Sequence, residues 1–331
     1  MRLLRTERRR QRPLLVTTAL AALLFLGALA VMSAIAGWSA VFDRFHTGVS
    51  PWYGLALAAE VLAFGAYVLA YRSVAAVEGG RRLGVREATE LVAVGFGPFL
   101  AKGGAALDSK ALRSGESSER DGEVRVLALD ALEHAPLAPA ACAAAITLLV
   151  QEDHKPGLDF TIPWATLVPL GGVLAYVGVR KRARFVGKQG WRGKLGDVLD
   201  GIRILFRLAR EWRLHWLGFV GAALYWAGDV LCLWASLEPF DAAPSFAAIV
   251  LAHAVGYVLT RRTLPFAGAG TVEVLMPLTL VAAGAPFPGA VLGVFAYRIF
   301  NLWLPLLPAA FALPRLRRRS ERSVRAQPRE A

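Results

Sequence analysis

Apolar residues in this chain do not recur at the spacing of one helix face or one strand face. They gather into long blocks, and charge collects between the blocks. An α-helix needs about 20 apolar residues to cross a ~30 Å hydrocarbon layer, so blocks of this length are bilayer spans rather than faces of a soluble core. They run at about 14–37, 52–71, 136–151, 160–179, 215–237, 244–260, 264–284 and 289–312. The pattern predicts an all-α, polytopic membrane protein with about eight transmembrane helices. A basic N-terminus occupies 1–13, a membrane domain 14–313 with long loops at 72–135 and 180–214, and a basic tail 314–331. The first block could be a cleaved signal peptide ending at Ala34-Ile35-Ala36. Its apolar core of roughly 20 residues exceeds the 7–15 of a signal sequence, so an uncleaved helix is expected.

Two apolar stretches are interrupted. Residues 91–101, LVAVGFGPFLA, are too short to cross, are broken by Gly95, Gly97 and Pro98, and lead into Lys102-Gly103-Gly104. Both flanks are basic, which fits a re-entrant or interfacial segment. The seventh block carries Pro265, Gly268, Gly270 and Pro277, which predicts a broken helix. Paired interruptions in the two halves of a chain point to a transporter-like site near the midplane. The other reading is that Gly and Pro are simply frequent in membrane helices.

Between spans, Leu195, Val198, Leu199, Ile202, Leu205, Phe206, Ala209 and Trp212 recur at helical spacing, with Arg203, Arg207 and Arg210 on another face. This predicts an amphipathic helix over 195–216, lying on the inner leaflet or packed on the membrane domain. The region 105–134 reads as a short cytoplasmic helical hairpin.

Composition agrees with the pattern: 56% hydrophobic residues and a mean hydropathy of +0.46. A net charge of +13 would suit a nucleic-acid partner, but the distribution of that charge argues against one. With eight spans, 35 of the 38 Lys and Arg fall in segments on one side, and only Arg44 and Lys155 fall in loops on the other. The positive-inside rule makes the first side cytoplasmic and puts both termini there, in a plasma (inner) membrane. Cys142 and Cys232 lie in apolar blocks and imply no disulfide. The five histidines show no metal-ligand spacing, so no metal and no cofactor is expected.

Ionisable residues inside spans are functional candidates by default, because a lone charge there costs about 2.5–3.5 kcal/mol. They are Glu60, Asp229, His253, Glu273 and Arg298. Counted from the short loop near Ala285–Gly289, Glu273 lies about 14 residues back and Arg298 about 11 forward. At 1.5 Å per residue their depths agree within roughly 5 Å, which predicts an ion pair. No hydrolase, nucleotide-binding or metalloprotease motif is present, so the chain is not expected to be an enzyme.

Pro265, Gly268, Gly270 and Glu273 within LPFAGAGTVEVL, followed by Tyr297-Arg298 and Pro305 within AYRIFNLWLPLLP, resemble the lysylphosphatidylglycerol synthase transmembrane region, a flippase-like family. Lys102-Gly103-Gly104, with Arg113 and Gly115 after it, resembles the family's first-half Gly/Arg element more loosely. Ala267 and Ala269 stand where that family commonly has glycine. Bifunctional relatives continue into an aminoacyl-transferase domain. This chain ends about 20 residues after its last block, so only the membrane half is carried over. The resemblance implies translocation or binding of a phospholipid or lipid-linked headgroup. The implied binding residues are Lys102, Gly103, Gly104, Arg113, Gly268, Gly270, Glu273 and Arg298. Half-helix N-termini near Gly103 and Gly270 are expected to offer free amides to a phosphate. Alternatives are a small-solute transporter, a partner subunit of an envelope lipid-synthesis enzyme, and, as a third class, a membrane-embedded lipid-modifying enzyme. Expected partners are anionic membrane lipids, together with a second copy of the chain or such an enzyme.

Overall fold

The computed structural model describes residues 2–45, 50–95, 104–113, 118–151, 157–185, 187–257 and 268–312. Among them the chain is helical, with no strand. It is an integral membrane protein. Six helices are long and apolar enough to cross a bilayer: Thr18–Ala36 within α1 (Arg2–Ala36), Pro51–Gly79, Glu119–Val150, Leu158–Arg180, Trp212–Phe240 and Phe287–Ala312. Helix is the expected state here, because the hydrocarbon layer offers backbone N–H and C=O groups no partner but each other. Boundaries follow local chemistry. Gly37, at φ +91°, separates α1 from the short α2 (Trp38–Phe45). Ser50 caps α3 (Pro51–Ala76), its side chain accepting from the Trp52 amide at 3.4 Å, with Pro51 at the first helical position.

In the sixth and seventh expected spans the described helices are short, the 12-residue α10 (Phe246–Tyr257) and the 11-residue α11 (Val272–Ala282); residues 258–267 between them lie outside the described residues. At 1.5 Å per residue these cover about 18 and 16 Å, roughly half the hydrocarbon layer. Ala247 and Ala248 at the start of α10 cluster with Ala283 just past α11. The two helices therefore pack antiparallel, with the start of α10 and the end of α11 on one side. Of the interruption expected inside the seventh span, Gly268 and Gly270 lie just before α11, Pro277 lies within α11 without breaking it, and Pro265 lies outside the described residues.

A re-entrant element sits in the first half of the chain. α4 (Val85–Gly95) turns back into the bundle after α3, and its last turn buries Ala93 and Val94 beside Phe64, near the middle of α3. α5 (Gly104–Leu112) follows it, and Asp108 on α5 accepts a hydrogen bond from Tyr71 of α3 at 3.0 Å. The start of the expected 91–101 re-entrant segment is thus the end of α4; its remainder lies outside the described residues. The 105–134 hairpin is present in altered form. Its second arm is the first half of α6 (Glu119–Val150), which runs unbroken through Pro136 and Pro139 and makes the 136–151 span far longer than expected.

The centre of the bundle is the contact of α3 with α9 (Trp212–Leu237). Gly218 faces Ser73, Gly221 faces Ala66 and Ala70, and Gly228 faces Ala59 and Ala63, so the helices run antiparallel. A Cβ on Gly221 would lie 2.5 Å from the Ala66 carbonyl oxygen. Small residues on both sides let the backbones touch, the usual device where lipid supplies no hydrophobic drive. α7 (Leu158–Arg180) packs on α6 and exposes most of its apolar surface, as a lipid-facing helix should.

α8 (Trp191–Arg210) departs from expectation in two ways. It stops at Arg210 instead of continuing to Trp216, because Glu211 leaves the helical conformation. Its buried face is Leu199, set against Gly178 of α7, with Ile204 and Leu208, and Gly201 lets the helix approach Leu127 and Ala128 of α6. The helix is thus docked on the protein. Val198, Phe206 and Ala209 from the expected apolar face stay exposed beside it.

Candidate functional site

Polar side chains from five elements meet in the interior near the end of α10 and the start of α11. α12 (Phe287–Arg298) supplies Tyr297 and Arg298, and the π-helical segment Ile299–Trp303 that follows supplies Asn301. α9 brings Asp229, α10 brings His253 and Tyr257, and α11 brings Glu273. Asp229, His253, Glu273 and Tyr297 have no solvent exposure, and Arg298 has 1%.

The expected ion pair is present. Arg298 Nε donates to Glu273 Oε1 at 2.6 Å, and Arg298 Nη1 donates to the Tyr257 hydroxyl and to Asn301 Oδ1, each at 3.2 Å. A buried pair needs such additional bonds, since the attraction between two desolvated charges barely offsets the loss of water. Tyr257 has one proton and two acceptors at 2.6 Å, Asn301 Oδ1 and the Tyr297 hydroxyl. Asp229 accepts from Tyr297 at 2.9 Å and Asn301 Nδ2 at 2.8 Å on one oxygen, and pairs with His253 Nε2 at 3.1 Å on the other. One connected network thus runs from Glu273 to His253. The His253 Nδ1 atom is buried and makes no hydrogen bond.

Backbone geometry prepares this point. Gly268 and Gly270 have φ of +71° and +88°, a region that side-chain-bearing residues enter at a cost. They deliver the chain into α11 so that the Gly270 amide donates to Glu273 Oε2 at 2.7 Å. This corrects one expectation: the Gly270 amide is not free for a phosphate, because Glu273 in the first turn of its own helix holds it. The Leu304 amide bonds to the Ile299 carbonyl at 2.8 Å, an i to i+5 bond that follows Arg298 directly. Pro305, lacking an N–H, cannot continue the ordinary ladder to Asn301. Bulges of this kind recur at functional sites.

No protein-family model matches this chain, and no curated protein matches it.

Of the residues expected to form the site, Asp229, His253, Glu273 and Arg298 converge, with Gly268 and Gly270 shaping the approach. Glu60 is buried on α3, beside the place where Gly228 of α9 meets Ala59 and Ala63. Gly104 begins α5 and Arg113 follows it, on the re-entrant element of the first half; no described contact joins either to the network. Lys102 and Gly103 lie outside the described residues. Tyr257 and Asn301 were not expected. Their signal was spacing: Tyr257 stands one turn after His253, and Asn301 three residues after Arg298.

Proposed function

We propose that the protein binds and translocates a phospholipid or other lipid-linked headgroup across the bacterial inner membrane, as a transporter and not as an enzyme. The observation that carries this is the buried meeting of Glu273, in the first turn of α11, with Arg298, next to a π-bulge. A headgroup crossing the bilayer needs polar partners at that depth while its acyl chains remain in lipid. Arg298 is the group able to take a phosphate when Glu273 withdraws, and Tyr257 and Asn301 would hold the guanidinium during the exchange. The resemblance of the 264–275 and 296–308 segments to the lysylphosphatidylglycerol synthase transmembrane region supports the same reading, for the membrane half alone. Six crossings are an even number, which keeps both termini on one side, and the excess of Lys and Arg makes that side the cytoplasm. Anionic phospholipids are the proposed partners, together with a second copy of the chain or an envelope lipid-synthesis enzyme. The Asp229–His253 pair, with its bare Nδ1, favours one second reading: a proton-coupled carrier of a small solute.

Purified protein in liposomes carrying a headgroup-labelled lipid tests the proposal. A membrane-impermeant reductant added outside should also quench the label that began in the inner leaflet of sealed wild-type vesicles, because translocation carries it outward, and should do so much more slowly in Arg298→Gln vesicles with equal protein incorporation. If wild-type vesicles protect their inner label as well as protein-free vesicles do, translocation is refuted.

A further inference from the structure

A groove of about 1170 Å³ opens at the end of the bundle where α3 ends and α9 begins, far along both helices from the buried network. Its walls carry four arginines, Arg72, Arg82, Arg203 and Arg207, against two carboxylates, Glu78 and Glu211. Leu69, Leu83, Leu214 and Leu217 supply the apolar part of the lining. Neither Arg72 nor Arg82 has an ion-pair partner among the described residues; the Arg72 Nε donates to the Leu83 carbonyl at 3.0 Å. The Arg203 Nε is buried and makes no hydrogen bond, its nearest carboxylate oxygen, on Asp200, standing 3.8 Å away.

Glu78 occupies the middle of this arrangement. One of its oxygens, Oε1, lies 3.2 Å from Arg203 Nη1 and 2.9 Å from Arg207 Nη1. Its backbone is left-handed, with φ 54° and ψ 39°, a conformation shared by only one other non-glycine residue among those described. The chain therefore adopts an unfavourable turn at the point that sends this carboxylate between two guanidiniums. Glu211 also takes the Arg207 Nε at 3.2 Å and Asp200 stands 3.8 Å from Arg203, so the carboxylates gather on these two arginines and leave Arg72 and Arg82 with none among the described residues; a phosphate presents several acceptor oxygens to planar guanidinium forks.

We propose that this groove is a binding site for the phosphate of an anionic membrane lipid, with Glu78 as a built-in placeholder that the phosphate displaces from Arg203 and Arg207. The lipid source follows from the surroundings. Leu214 is 79% exposed at the mouth, and Trp212, Trp216 and Leu217 beside it are also exposed, so the groove continues into a surface suited to acyl chains and the headgroup region. The site is separate from the Glu273–Arg298 network and does not depend on translocation.

The sign of one substitution distinguishes this proposal from a merely structural ion pair. Glu78→Gln removes the competitor and keeps the shape, so it should raise affinity for the lipid by about fivefold. Arg203→Gln with Arg207→Gln should lower it by more than that. The measurement is native mass spectrometry of the full chain in detergent, titrated with phosphatidylglycerol or with phosphatidylcholine. Wild type should retain phosphatidylglycerol in preference to phosphatidylcholine. Misfolding cannot raise affinity, so Glu78→Gln remains informative even if the arginine variants are damaged. Equal retention of the two lipids, or a Glu78→Gln variant that binds no better than wild type, overturns the proposal. So does competition by inorganic phosphate as effective as that by phosphatidylglycerol, which would assign the groove to a soluble anion. Retained lipid in a protein that fails to scramble would sink the transport function and leave this site standing.

Discussion

Neutralising both members of the Glu273–Arg298 pair should do less harm than neutralising either one. Arg298→Gln leaves the Glu273 carboxylate fully buried with only the Gly270 amide, at 2.7 Å, to stabilise it. Breaking a buried pair from one side costs about 3–5 kcal/mol, because the remaining charge has neither water nor counterion. Glu273→Gln strands the Arg298 guanidinium in the same way, although Tyr257 and Asn301 still accept from it. In the double variant no charge is stranded, and the two introduced carboxamides can still bond to each other. The interaction energy from the four proteins should therefore be about 2 kcal/mol or more, well above the ~0.5 kcal/mol expected of independent sites. Thermal unfolding of the purified proteins in one detergent measures it. A double variant as destabilised as the sum of the singles would refute the argument. Exchanging the two residues is a poorer test. An arginine in place of Glu273 could not accept the Gly270 amide, and it would place positive charge at the positive end of α11.

Other expected outcomes follow from single contacts. Gly221→Ala should lower the thermal midpoint by the equivalent of about 1–3 kcal/mol, since its Cβ would meet the Ala66 carbonyl oxygen at 2.5 Å; an unchanged midpoint would mean that the seam is looser than described. Gly270→Ala should cost about 1–2 kcal/mol through its φ of +88° alone, which the same unfolding assay can read. Reporters fused after Met1 and after Arg319 should both read cytoplasmic, and one in the 151–159 loop should read external. Opposite readings at the two termini would mean an odd number of crossings.

Much of this architecture was legible in the sequence because a bilayer imposes one strong rule, a minimum length of apolar helix. The depth match of Glu273 and Arg298 was legible for the same reason: both could be counted from one short loop. Hydropathy does not say which apolar helices are enclosed. The apolar α10 is buried at Ile249, Leu251, Ala252 and Ala254, which its sequence does not show, because an apolar segment buried inside protein and one exposed to lipid have the same composition. α8 shows a related ambiguity. Its apolar residues spread over two faces, and only Gly201, which admits the α6 backbone, decides that Ile204 and Leu208 are buried while Phe206 is not. Tyr257 and Asn301 were hidden because a tyrosine or asparagine in a span announces no partner until the folded chain supplies one.

The glycine seam between α3 and α9 closes a route. Where two helices are separated by a layer of interdigitated side chains, rotamer changes can open a crevice between them. Here the Gly221 and Gly228 backbones rest directly on the α3 backbone near Ala66 and Ala59, and no side chain lies between that could swing aside. α3 and α9 therefore move as one post. Under the proposed function, a headgroup passing Arg298 would travel around that post, beside the short helices packed on its sides.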